Sequence, residues 1–174
     1  VLADEEFFTV ISEDIPSYPG YESEPFKQIV ADNFDDLVIN NDNDVLVAFT
    51  APWCPHCTNF KPILNETAYL LKDTKARVYY FDGSKNDIPE CVPSIEGYPT
   101  LFFWPAGKKD DTPVKYGGIR RFKDALSFIN KTSTNPIELP PYDEEAIKER
   151  IKLIQNPPNP NKNTDNEEND TDAE

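Results

Sequence analysis

Methionine is absent from this 174-residue chain, histidine occurs once and cysteine three times. Without a methionine, the chain from Val1 does not hold its own initiator. It reads as a processed protein or a piece excised from a longer one. Three cysteines do not make a disulfide scaffold; they make one pair and a spare. A single imidazole, His56, leaves no second histidine for a cysteine–histidine pair elsewhere. Basic residues are also scarce. Seventeen Lys and Arg face 32 Asp and Glu, a net charge of −15, which argues against the basic surface that phosphate binding needs. No run approaches the ~18 apolar residues of a membrane-spanning helix. Val1 to Glu6 is acidic and lacks the basic and apolar segments of a secretory leader.

What is present is concentrated at Thr50-Ala-Pro-Trp-Cys-Pro-His-Cys57. Cys54 and Cys57 follow the apolar run Val45 to Phe49 and precede a helix-like segment, Thr58 to Lys72. Such a segment starts with unpaired N–H groups and the positive end of its macrodipole, which favour an anion. A sulfur placed there is favoured as thiolate, the attacking species in disulfide exchange. The second thiol lies one turn on, within reach of a disulfide. A bare pair of this spacing also reads as half a zinc site. That reading needs four ligands, and Cys54, His56, Cys57 and Cys91 lack the usual paired spacing.

The length allows one domain with a sizeable core plus tails. Residues 1–25 join an apolar patch (Phe7, Phe8, Val10, Ile11) to a breaker-rich run with Pro16, Pro19 and Gly20, expected to be a linker, the remnant of an upstream domain, or a disordered arm. Phe26 to Val30 reads as a strand, with Asp32 or Asn33 capping a short helix through Ile39. Val45 to Phe49 has the continuous apolar character of a central strand buried on both faces. Phe60, Ile63, Leu64, Ala68 and Leu71 keep helical spacing, with Pro62 among them as a predicted kink. Ala76 to Phe81 and Leu101 to Trp104 are further strands, Pro105 to Lys108 a turn, and Val114 to Tyr116 an edge strand. Lys85 to Gly97 holds at most a short helix. Phe122, Ala125, Leu126 and Ile129 mark an amphipathic helix. The order predicts an α/β domain over 26–136, with a mixed sheet covered on both faces. Beyond it, 137–155 reads as a linker and an extra helix with Ile147, Ile151 and Ile154 on one face. Residues 156–174 read as a disordered acidic tail.

Four spaced features together resemble the thioredoxin fold, and more closely the C-terminal catalytic domain of the protein disulfide isomerases. They are Ala51-Pro-Trp-Cys-Pro-His-Cys57, Pro62, Gly97-Tyr-Pro-Thr100 and Tyr116-x-Gly-x-Arg120. The flank Ser12-Glu-Asp-Ile-Pro16 and the segment Asp44-Val-Leu-Val47 are similar to the calnexin-associated members of that family. The resemblance covers about residues 12–136 and implies a thiol–disulfide oxidoreductase of the endoplasmic reticulum lumen, acting on folding secretory proteins. It implies no cofactor beyond the cysteines, glutathione or an oxidase as redox partner, and sibling domains in a longer protein. Asn65, Asn130 and Asn169 each open a glycosylation triplet, compatible with that compartment. By the resemblance, Cys54 attacks, Cys57 resolves, and Trp53 and Tyr98 meet the substrate. Pro99 is expected to be cis, and Arg120 to approach Cys57 or else to sit on the surface as a helix cap. Cys91 is expected to be a buried, inert thiol.

The sequence departs from that family in three places. Pro55-His56 replaces the usual Gly-His, and the bacterial periplasmic oxidase with Pro-His is strongly oxidising. His56 is positioned to donate to, or repel a proton from, the Cys54 sulfur. Where the family buries a carboxylate the chain has Ala48, and where it places the partner lysine it has Tyr80. Losing both members together avoids an uncompensated buried charge but removes the internal base. A competing reading follows: a catalytically weak, client-binding module built on the same fold. A cytosolic reductase of the same fold is a third reading, which the Pro-His dipeptide disfavours.

Overall fold

The computed structural model describes residues 9–160. The Phe7–Phe8 patch, Asn169 and all but the first residues of the acidic tail lie outside the described residues.

The chain folds as a five-stranded sheet, β1 (Phe26–Ile29), β2 (Asp44–Thr50), β3 (Ala76–Asp82), β4 (Thr100–Trp104) and β5 (Val114–Lys115), in the spatial order β1-β3-β2-β4-β5. The two pairings around β3 are parallel, and β4 runs antiparallel to both β2 and β5. Every residue of β2 is buried, as its unbroken apolar run requires of a strand with neighbours on both sides and packing on both faces. Period-two alternation then splits its side chains. Leu46 and Ala48 join Phe26, Val78, Leu101 and Phe103 under α2 (Pro55–Leu70) and α3 (Phe122–Thr132). Val45, Val47 and Phe49 join Phe34, Phe81, Phe102 and Trp104 on the other face. That face is covered by α1 (Ala31–Phe34) and the π-helical turn that continues it over Asp35–Ile39. Each fully buried aromatic contributes about 1.5–3 kcal/mol of transfer free energy, so this second layer is held largely by its interlocked rings.

Asn33, rather than Asp32, serves the start of α1. Its side-chain oxygen accepts the Val30 N–H at 2.7 Å from inside the first turn, while Val30 is the flanking residue. No helix forms over Lys85 to Gly97, which is turn and irregular backbone around Pro89 and Pro93. The breaker-rich arm is pinned rather than loose. Ile11 exchanges two 2.8 Å hydrogen bonds with Asp87, the Glu13 N–H donates to Asn86, and the Glu13 carboxylate accepts from Asn86 and Gln28. Gly20, at φ 92°, turns the chain into a short 3-10 turn that buries Tyr21. The φ sign there is one that only glycine adopts without cost.

At the start of β2, the Asp44 carboxylate is fully buried and accepts N–H groups from Ala106, Thr134 and Asn135, plus the Asn135 side-chain amide. Nearby, the Lys109 ammonium donates to the Val38, Asn43 and Trp104 carbonyls. Burial holds it down at about 8, against the pull of Asp44.

The extra helix α4 (Glu144–Gln155) is capped by Asp143, whose carboxylate accepts the Glu145 and Ala146 N–H groups. It docks on its own domain. Ile147 and Ile151 enter the α2–α3 layer, Arg150 forms a two-pronged bond to Glu66 at 2.8 and 2.9 Å, and the Gln155 amide reaches the Asn59 carbonyl. Ile154, expected on the buried stripe, is 59% exposed.

Candidate active site

Because β4 runs against β2, the end of β2 and the beginning of β4 lie at the same edge of the sheet. Residues four past Thr50 and two before Thr100 therefore meet there. Cys54 occupies the N-cap of α2 in extended conformation, and its sulfur accepts the Cys57 N–H at 3.2 Å. Pro55 fills the first helical position, where a missing N–H costs nothing because that donor has no partner inside the helix. The helix thus begins three residues earlier than the hydrophobic spacing suggested, with Cys54 capping its first turn and Cys57 within it.

The Tyr98–Pro99 bond is cis, and the carbonyl of Tyr98 accepts the Cys54 thiol at 3.4 Å. The Tyr98 ring lies over Gly83, where a Cβ would come within 2.4 Å of the phenol oxygen, so the lack of a side chain at 83 admits the ring. Trp53 stands 71% exposed, with its ring edge-on to Tyr98 at 5.9 Å. An apolar, solvent-facing surface consequently borders two cysteines that are themselves only 5% and 2% exposed.

The two thiols sit in different surroundings. Burial, then the hydrogen bond with Cys54, pushes Cys57 up to about 11. The Ala51 backbone and the Lys61 ammonium oppose that rise. Lys61 lies one turn beyond Cys57 in α2, and its ammonium also sits 4.3 Å from the centre of the Tyr80 ring. Tyr80 faces Ala48 in the β2–β3 register, so the two departures from the family pattern are neighbours. Sequence reading missed Lys61. The signal was its four-residue offset from Cys57, which shares a helix face.

Other expected site residues lie apart from the sulfurs. His56 is exposed, and among the described residues the Cys54 sulfur is paired with the Cys57 N–H and the Tyr98 carbonyl rather than with the imidazole. Arg120 is exposed in the loop before α3 and does not bond to Cys57. It lines the cleft beside Gly97, Tyr98 and Pro99, together with Phe60 and Tyr116. The residue that caps α3 by position is Arg121, which pairs with Asp124 at 2.9 Å. Cys91 is exposed, against the expectation of a buried thiol, because the segment around it forms no helix to cover it. No three His, Cys, Asp or Glu side chains gather as a metal-binding group among the described residues. No described helix is long and apolar enough to cross a membrane.

The thioredoxin family model matches residues 25–131. Protein disulfide-isomerase A3 of Gallus gallus is 41% identical over 112 residues, 64% of this chain and 22% of that protein. A protein disulfide-isomerase of Aspergillus oryzae is 36% identical over 83% of this chain and 28% of its own length. The chain thus spans roughly a fifth to a quarter of the curated relatives it matches. Among solved structures, the first thioredoxin domain of mouse protein disulfide-isomerase A4 superposes with a TM-score of 0.52 at 30% identity, covering 65% of this chain and 79% of that one. The J-Trx1 fragment of ERdj5, at 21% identity and a TM-score of 0.54 over 63% of this chain and 52% of that one, shares the fold.

Proposed function

This chain belongs to the thioredoxin family, closely related to its protein disulfide isomerases, and on that premise we propose that it is a thiol–disulfide oxidoreductase domain. It forms, breaks and rearranges disulfides in folding secretory proteins of the endoplasmic reticulum lumen, with glutathione or an oxidase restoring its redox state. In this reading residues 26–136 are the redox domain of a longer protein that carries sibling domains. Residues 1–25 lead into it, 137–155 add the extra helix, and 156–174 form an acidic tail.

The single observation that carries the reading is the placement of the Cys54 sulfur. It accepts an amide at the start of α2 and lies against the carbonyl that precedes Pro99. In the reductive direction, Cys54 thiolate attacks one sulfur of a client disulfide, forming a mixed disulfide and releasing the other client sulfur as thiolate. Cys57, after losing its proton, attacks the Cys54 sulfur. The client leaves with two thiols, and the Cys54–Cys57 disulfide remains. Oxidation is the reverse. Trp53 and Tyr98 hold the client strand; Pro55 and His56 bias the pair toward its reduced form. Refolding of a reduced test protein, compared with the Cys54→Ser, Cys57→Ser double variant, is the test. Equal rates would reject the enzyme and leave the client-binding module, which the pairing of Ala48 with Tyr80 favours. Equilibration with glutathione tests the Pro-His bias; a potential as low as about −270 mV, that of thioredoxin, would refute it.

A further inference from the structure

Adjoining the Tyr98–Pro99 cleft through Arg120 is a second one, between α2, the start of α3 and α4, with a cavity of about 440 Å³. Its floor is apolar: Ile63, Phe122 and Ile151. Its rim is cationic, with Arg120, Arg121, Lys123, Lys148 and Lys152 against only Asp124 and Glu144. Both acids are already used, Asp124 by Arg121 at 2.9 Å and Glu144 by Lys148 at 3.0 Å. Among the described residues, no ion pair engages Arg120, Lys123 or Lys152. In a chain of net charge −15, a rim of five cations and two acids reverses the overall charge balance locally.

The two clefts share a residue. Arg120 borders this basic cleft and also the one formed by Tyr98, Pro99 and Tyr116. A client strand lying against Tyr98 and continuing past Pro99 toward Arg120 runs into the cationic rim. We propose that the cleft between α3 and α4 is an extended subsite for clients carrying Asp or Glu on that side of the reacting cysteine. Apolar side chains settle on Ile63, Phe122 and Ile151, and the carboxylates meet Arg120, Lys123 and Lys152. This rests on the redox reading above and adds a substrate preference to it.

The test is single-turnover reduction of two matched peptide disulfides by the full chain in its dithiol form. One peptide has Asp and Glu flanking the cysteine, and the other has Asn and Gln. The peptide disulfide becomes two thiols as Cys54 and Cys57 become a disulfide, so no further reductant enters. At low salt the acidic peptide reacts about fivefold faster, the effect of a few exposed charge pairs, and the advantage shrinks as salt rises. In Lys123→Gln, Lys152→Gln the acidic-to-neutral rate ratio falls from about five to about two, the part Arg120 keeps, while Lys72→Gln, away from the cleft, leaves it whole. A ratio near one in the unaltered chain overturns the subsite, as does a ratio that the double variant leaves unchanged. A preference that emerges only after Asp165, Glu167, Glu168, Asp170, Asp172 and Glu174 are changed to their amides also overturns it, by assigning the cleft to the chain's own acidic tail. If neither peptide reacts, the redox reading itself has failed.

Discussion

Ala48 lies directly across from Tyr80 in the β2–β3 ladder, and the Tyr80 ring carries the Lys61 ammonium 4.3 Å from its centre. The sheet face under α2 therefore brings together a methyl, a phenol and a cation, with no carboxylate among the three. Cys57, raised to about 11 chiefly by burial, has to shed its proton before it can attack. In this arrangement the Lys61 cation favours the thiolate but accepts no proton itself while it stays charged.

Ala48→Glu supplies a base on the sheet face packed by α2, with Lys61 in the same layer as its counter-charge. Release of the mixed disulfide is expected to accelerate about a hundredfold, the low end of general-base effects. Stability should fall, because a carboxylate replaces a methyl in a filled core. Rapid-quench measurement of the mixed disulfide reads the first effect and urea unfolding the second. Unchanged turnover would show that proton removal is not limiting.

Lys61→Met removes a cation that favours the Cys57 thiolate. In a Cys54→Ser background, alkylation of Cys57 should therefore shift to higher pH. Arg120→Ala should leave that profile in place, since Arg120 stands exposed and away from Cys57. Alkylation rates across pH 8–11 separate the two cations.

The buried Cys57 and the half-buried Lys109 give stability opposite slopes in alkali. Cys57 is raised from 9.0 to about 11, so the folded state keeps a proton that the unfolded chain releases. Its contribution is intact below pH 9 and is lost between 9 and 11. Lys109 is lowered from 10.5 to about 8, so the unfolded chain binds the extra proton, and stability gained above pH 10.5 is lost as pH falls through 8. Urea unfolding across pH 7–11 should show less alkaline loss in Cys57→Ala than in the unaltered chain. Lys109→Met should remove the opposing gain.

Truncating Ile151 to Ala should cost about 2–4 kcal/mol, since it leaves a cavity in the α2–α3–α4 layer. Ile154→Asp should stay within about 0.5 kcal/mol, being a surface change. Thermal or urea unfolding of the two variants checks the contrast.

How far the sequence was legible follows the range of the forces involved. β2 could be read because an unbroken apolar run has one economical fate, the middle of a sheet. α3 could be read because Phe122, Ala125, Leu126 and Ile129 share one face, and all four are buried. The sulfur placement followed from two local motifs, around Cys54 and around Pro99, that the antiparallel β2–β4 pairing brings together. The arm was opaque because what holds it is polar and distant: Asn86 and Asp87 bind Glu13 and Ile11 across more than seventy residues. Lys61 was opaque because its importance depends on the ring and the thiol it lies between. Ile154 was misplaced because, at the end of α4, Gln155 makes the contact with α2 through its amide, leaving the isoleucine outside.

The pinned arm also sets a tether length. Counted from Pro25, the flexible chain leading to any preceding domain would include residues that the Ile11–Asp87 and Glu13–Asn86 bonds take out of play. Moving the anchor back to Ile11 shortens such a leash by about fourteen residues, a segment that if flexible would by itself span roughly 20 Å root-mean-square. A neighbour joined at that point is held in a smaller volume around the domain, and its effective concentration at the Cys54 face is fixed by where Asp87 grips the arm as much as by its own affinity.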